Sequence, residues 1–186
     1  MEIFVIRHTK VDVPPGHCYG QTDVNLFNDY PDEITTFRDR IPNDIDTVIS
    51  SPLKRCTFIA DHFSQWYSTD DRLLEMNFGE WEMKKWDEIP KNDLQNWMDN
   101  LAQTCPPYGE SLSIVQDRVS SFLDDLRKAE YKKVLLVTHA GPIRCMWNYL
   151  LQTPINNTFK VPVDYNEVFH FNLGATPQDD FILQKA

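Results

Sequence analysis

Two short apolar runs constrain the fold of this chain more than any other feature. Residues 3–6 and 134–137 contain no polar side chain, and each run leads directly into a polar residue pair, Arg7-His8 after the first and Thr138-His139 after the second. Successive side chains of a strand point to opposite faces, so a strand that is apolar at every position must be covered on both sides. That is the environment of a parallel sheet enclosed between helical layers. Residues 46–50 read as a further strand, and residues 133–138 as the full extent of the later one.

The intervening segments carry the helical period. After Ser51-Pro52 a helix with Pro52 at its first position sets Leu53, Cys56, Ile59, Ala60 and Phe63 on one face, with Arg55 in the first turn and off that stripe. Residues 111–128 align Leu112, Val115, Val119, Phe122, Leu123 and Leu126, and a helix starting near Gly141-Pro142 buries Ile143, Met146, Trp147 and Leu150. Residues 167–173 alternate loosely and are expected to form an edge strand. Strand and helix in repetition predict an α/β three-layer sandwich, its mostly parallel central sheet flanked by helices and joined by right-handed crossovers. Residues 1–186 are expected to form a single domain.

Sheets of this kind bind ligands beyond the carboxyl ends of their strands. His8 and His139 both fall at such ends and are expected to face one another across one site. The loop of residues 11–31, rich in proline and glycine, lies beside it in sequence.

The formal net charge of -10 argues against nucleic acid or an anionic membrane as a partner, because like charges repel. An anionic substrate must therefore meet a local basic pocket. The first residues offer neither a basic leader nor a long apolar region, and no run of about 20 apolar residues occurs, so a cytoplasmic protein is expected. Cys18, Cys56, Cys105 and Cys145 are too dispersed for a zinc site and read as reduced thiols, with no metal implied.

Histidines and arginines gathered at strand and helix ends suit a phosphate group. Arginine offers planar, bidentate donors to phosphate oxygens. A neutral imidazole is a competent nucleophile, and covalent attack splits one hard displacement into two easier ones. His8 is the candidate.

The ordered motifs Arg7-His8-Thr9, Ser51 to Cys56, Leu74 to Glu82 and Thr138 to Gly141 resemble those of the histidine phosphatase superfamily, which includes the cofactor-dependent phosphoglycerate mutases. The likeness runs from residue 3 to about 151. It implies the phosphoglycerate mutase-like fold, with His8 as the phosphorylated nucleophile, Arg7, Arg55 and His139 holding phosphoryl oxygens, and Glu75 as the general acid. No cofactor is implied. Cys18-Tyr19-Gly20-Gln21-Thr22-Asp23-Val24, Gly109-Glu110-Ser111 and Gly141-Pro142-Ile143-Arg144 resemble the alpha-ribazole phosphatases, which implies a small-molecule phosphate ester, alpha-ribazole 5'-phosphate, as substrate. A broad-specificity phosphatase and a phosphomutase are the alternatives, and a homodimer is compatible with the sequence. Many family members place Gly-Glu after the Arg-His pair and an asparagine further on. Here Thr9-Lys10 follows, so Thr9, Gly20, Gln21 and Ala140 are the candidates for the remaining phosphate contacts. Glu80 or Glu82 is placed to tune Glu75. Phe78, Trp81, Trp86 and Trp97 could wall a substrate cavity or simply pack together, whereas His17, His62 and His170 match no motif.

Overall fold

The computed structural model describes residues 1–185. One six-stranded sheet has the order β3-β2-β4-β1-β5-β6, where β1 is Glu2–Arg7, β2 Thr47–Ser50, β3 Ser68–Thr69, β4 Lys133–Thr138, β5 Val168–Asn172 and β6 Phe181–Lys185. Neighbours from β3 to β1 pair in parallel, and β5 runs antiparallel to both β1 and β6.

The unbroken apolar runs are explained by what covers them. Ile3, Val5, Val134 and Leu136 turn to one face, where they meet α4 (Leu112–Leu126) and α5 (Ala140–Leu151). Phe4, Ile6, Leu135 and Val137 turn to the other, against α1 (Tyr30–Arg38) and α2 (Lys54–Phe63). Val5, Ile6 and residues 134–137 are fully buried, and each such aliphatic side chain contributes roughly 1.5–3 kcal/mol of transfer free energy. The sandwich therefore follows from the alternation of β1 and β4 alone.

Several local expectations are corrected. The helix after Ser51-Pro52 starts at Lys54, with Leu53 as N-cap. Ser51 still pairs with the sheet through its N–H to the Val137 carbonyl (2.9 Å), which holds Pro52 outside the helix. Arg55 lies off the apolar stripe as expected, yet it is completely buried. Residues 168–172 are not an edge, because β6 pairs outside them and takes that position. The loop from residue 11 closes at Tyr30, where α1 begins with Pro31 in its first turn, and α3 (Lys91–Asp99) is a further helix in a polar stretch. Phe78, Trp81, Trp86 and Trp97 pack on one another with ring centroids 5.6–6.1 Å apart, so they form core rather than a cavity wall.

Among the described residues no helix is long and apolar enough to cross a membrane, and no cluster of His, Cys, Asp and Glu could hold a metal ion. All four cysteines are free thiols.

Candidate active site

The adjacent ends of β2, β4 and β1 assemble the site. Arg7 is in register with Thr138, and the His8 N–H bonds the Thr138 carbonyl at 3.0 Å, so the residues that follow each strand are brought side by side. The His8 and His139 rings meet edge-on with centroids 5.1 Å apart. Both are buried, as are Thr9 and Arg55.

His8 Nδ1 lies 2.7 Å from its neighbour's carbonyl, Thr9 O. A carbonyl only accepts, so Nδ1 carries the proton and donates, which leaves the Nε2 lone pair for chemistry. Arg55 Nε donates to His139 Nδ1 at 3.3 Å, so His139 carries its proton on Nε2 and donates to Ser51 Oγ at 2.8 Å. Arg55 also donates to the carbonyls of Thr22 (2.9 Å) and Gly20. Three of its five N–H groups are thereby used. Arg7 donates to the Val163 carbonyl at 3.0 Å, and its guanidinium stacks 3.8 Å from the centre of the Tyr165 ring. Arg7 Nε and Thr9 Oγ1 are buried without a hydrogen-bond partner among the described residues. Each such orphan costs roughly 1–3 kcal/mol unless a ligand satisfies it.

Burial is the main force that holds both imidazoles well below the ordinary histidine range. Arg55 and then Arg7 add to it at His8, while Arg55 and then His8 add to it at His139. Both rings are neutral near pH 7, the form in which His8 can attack. The unfolded chain takes up protons on these rings from about pH 6.5 downward, whereas the folded chain does so only at lower pH. Their contribution to stability is therefore lost as pH falls from about 6.5 toward the lowered folded values, at up to about 1.4 kcal/mol per pH unit for each ring. Urea midpoints measured from pH 7 to 5 check this, and a flat profile would contradict it. Beneath His139, burial pushes the Cys56 thiol up to about 12, so it stays protonated and inert.

Glu75 lies in the loop after β3, and its carboxylate meets the start of α5, the helix that His139 caps. Its Oε1 accepts from the Met76 N–H (2.9 Å) and its Oε2 from the Gly141 N–H (3.2 Å) at the start of α5. A Cβ at residue 141 would lie 2.1 Å from Glu75 Oε1, so the bare glycine is what lets the carboxylate rest against the start of α5. Ala140 is the first residue of the same helix, whose positive end points into the site.

Other candidates are occupied differently from the expectation. Gln21 sends its side-chain amide to the Glu75 carbonyl (2.9 Å) and its backbone N–H to Glu82 (2.8 Å), so it ties the loop to Glu75. Gly20 offers its carbonyl to Arg55 and lies close enough to Met76 O that a Cβ would approach within 2.1 Å. The Glu82 carboxylate accepts from the N–H groups of Gln21, Thr22 and Phe78, while Glu80 is exposed. Glu82 is thus an anchor for the loop.

Sequence reasoning missed Arg118 and Tyr165, and it met Glu110 only within the motif Gly109-Glu110-Ser111, with no role for it. Arg118 pairs with Glu110 (3.0 Å) and donates to the carbonyls of Arg72 (2.7 Å) and Glu75 (3.0 Å), which fixes the backbone that carries Glu75. A signal was present: Arg118 stands three residues after Val115, a charge on an apolar stripe. Tyr165 lies 6.0 Å from His8, ring to ring, and its hydroxyl meets that of Tyr19 at 3.1 Å over the arginines. Tyr165 thus lies over Arg7 and Tyr19 over Arg55.

Comparison with known proteins gives the family and the fold. Residues 3–177 match the family model described as histidine phosphatase superfamily (branch 1). Phosphoserine phosphatase 1 of Hydrogenobacter thermophilus is 25% identical over 174 residues, covering 88% of this chain and 82% of the relative. The adenosylcobalamin/alpha-ribazole phosphatase of Escherichia coli is 27% identical over 131 residues, 64% of this chain and 63% of the relative. The crystal structure of the alpha-ribazole phosphatase of Shigella flexneri superposes with a TM-score of 0.84 at 22% identity, covering 94% of this chain and 91% of that one, which shows the shared fold.

Proposed function

The chain belongs to the histidine phosphatase superfamily (branch 1), and from that premise we propose that it hydrolyses a small-molecule phosphomonoester through a phosphohistidine at His8. The observation that carries this reading is the His8 tautomer. With Nδ1–H committed to Thr9 O, Nε2 is a neutral, buried lone pair among Arg7, Arg55 and the positive end of α5.

In the first step His8 Nε2 bonds to phosphorus while the ester P–O bond breaks, and the Glu75 carboxyl gives its proton to the departing oxygen. In the second a water attacks phosphorus, its proton passes to Glu75, and the P–N bond breaks. Charge on the three equatorial oxygens is met by Arg7, by the two remaining N–H groups of Arg55 and by the α5 N-terminus. The unpartnered Thr9 hydroxyl gains a phosphoryl oxygen and stands in for the family's asparagine. His139 reaches the phosphoryl group by exchanging its bond to Ser51.

The Glu75 assignment has its own check in Gly141→Ala, whose Cβ would displace the carboxylate. We expect kcat for an alkyl phosphate to fall about 10²–10⁴-fold. The first-turnover burst of p-nitrophenolate, which reports phosphorylation of His8 by a leaving group that needs no proton and excludes the later attack by water, should suffer far less. A burst rate slowed as much as first-turnover phosphorylation by the alkyl ester would show that Glu75 is not the proton donor.

Two substrates merit direct comparison. Alpha-ribazole 5'-phosphate is supported by the motifs at residues 18–24 and 109–111 and by the Escherichia coli relative. An amino-acid phosphate is supported by the Hydrogenobacter relative, matched over more of the chain, and by Arg144, which has no ion-pair partner among the described residues. Values of kcat/KM for both esters, measured in chelator beside simple phosphomonoesters, decide between them. A strong preference names the substrate, and uniform weak turnover marks a broad-specificity phosphatase.

A further inference from the structure

We infer that Arg144 is a specificity-determining residue that receives a carboxylate on the leaving group of the substrate. The inference rests on the phosphohistidine reading above and adds a substrate class to it.

Its position comes from helix geometry. Residues three and four apart share a helix face, and side chains lean toward the N-terminus. Arg144 therefore shares a face of α5 with Gly141 and Ala140 and leans back toward them. Gly141 is the residue against which the Glu75 carboxylate rests. If Glu75 protonates the departing oxygen, this face is the leaving-group side of the site, and Arg144 stands one turn along it.

Its chemistry is that of a prepared fork. Nε donates to the Val161 carbonyl at 3.0 Å, and the guanidinium lies 5.5 Å from the Phe159 ring centre, which fixes the group in a half-buried position. Among the described residues it makes no ion pair, in contrast to Arg72, Arg118 and Arg127. Its terminal N–H groups are left for an external partner, and such a planar pair matches a carboxylate in bidentate fashion.

The surroundings select among anions. The carboxylates of Glu75 and Asp164 act on Arg144 together with the like charge of Arg7. The Asp164 carboxylate repels a second phosphate dianion more strongly than a carboxylate, and it accommodates an ammonium group beside it. The same segment supplies both walls: Val161 O is held by Arg144, Val163 O by Arg7, and Tyr165 lies on Arg7. A short leaving group between them has its phosphate on the Arg7 side and its carboxylate on the Arg144 side.

The test uses two esters that differ only in the carboxylate, O-phosphoserine and O-phosphoethanolamine. The readout is the ratio of their kcat/KM values, which does not depend on the fraction of enzyme folded. The wild-type ratio should favour O-phosphoserine, and Arg144→Met should reduce it about 10- to 100-fold through KM. Arg144→Lys, which keeps the charge and loses the fork, should fall between. A wild-type ratio near one, turnover of neither ester, or an unchanged ratio in Arg144→Met overturns the inference, the last leaving Arg144 as an anchor for Val161. Capture of acid-labile phosphate on His8 with p-nitrophenyl phosphate reports on the phosphohistidine chemistry separately, so the two failures are distinguishable.

Discussion

His8→Ala should lower kcat by about 10⁴-fold or more, the scale of loss when a covalent nucleophile is removed. Nothing nearby can replace it. His139 Nδ1 accepts from Arg55 and its Nε2 carries the proton, so neither nitrogen offers a free lone pair, and the Cys56 thiol is held protonated by burial. The loss should fall on kcat rather than on binding, because Arg7, Arg55 and the α5 N-terminus remain to hold the phosphate. Rapid acid-free quenching with a radiolabelled ester should trap a phosphoramidate in the native protein and none in the variant. Retained turnover in His8→Ala would sink the mechanism.

Arg55→Ala should be the most damaging change that does not remove a reacting atom. Arg55 is fully buried, and its loss strands the carbonyls of Gly20 and Thr22 and one nitrogen of His139. Unmet buried acceptors and the void together should cost about 3 kcal/mol or more in urea unfolding. Loss of fixed charge at the phosphoryl oxygens should lower kcat about 10²–10³-fold in the fraction that folds. A third effect has a definite sign: Arg55 depresses both imidazoles, so without it His8 and His139 titrate closer to the ordinary value. The acid limb of the rate profile should then move to higher pH. Arg55→Lys keeps the charge but cannot reach all three acceptors, and it should recover little stability. A variant as stable and as active as the wild type would show that the arginine is dispensable.

The legible parts of this molecule were those governed by local periodicity. Both faces of β1 and β4 announce themselves because residues 3–6 and 134–137 are all apolar, and the polar residues that follow them mark the site. Arg55 was legible as a candidate, though its complete burial was not, because helix periodicity describes a stripe and says nothing of a polar side chain sealed by a distant loop. The α1 and α3 helices escaped notice because few of their residues are buried, Ile34 and Phe37 in one and Trp97 in the other. Tertiary contact decided the rest. The role of Glu82 depends on amides about 60 residues away, and Tyr165 reaches Arg7 from the opposite end of the chain. The placing of β5 inside β6 depends on a pairing that neither strand's own pattern contains.

The bond from Arg7 to the Val163 carbonyl bears on how the reaction ends. Inorganic phosphate leaving this site does not abandon a bare guanidinium, because Val163 O and the Tyr165 ring stay with Arg7 and share its charge throughout. Product departure is thereby an exchange of partners in place of the creation of an unsolvated cation. The same sharing weakens the hold of any single anion on Arg7, which favours turnover over product inhibition.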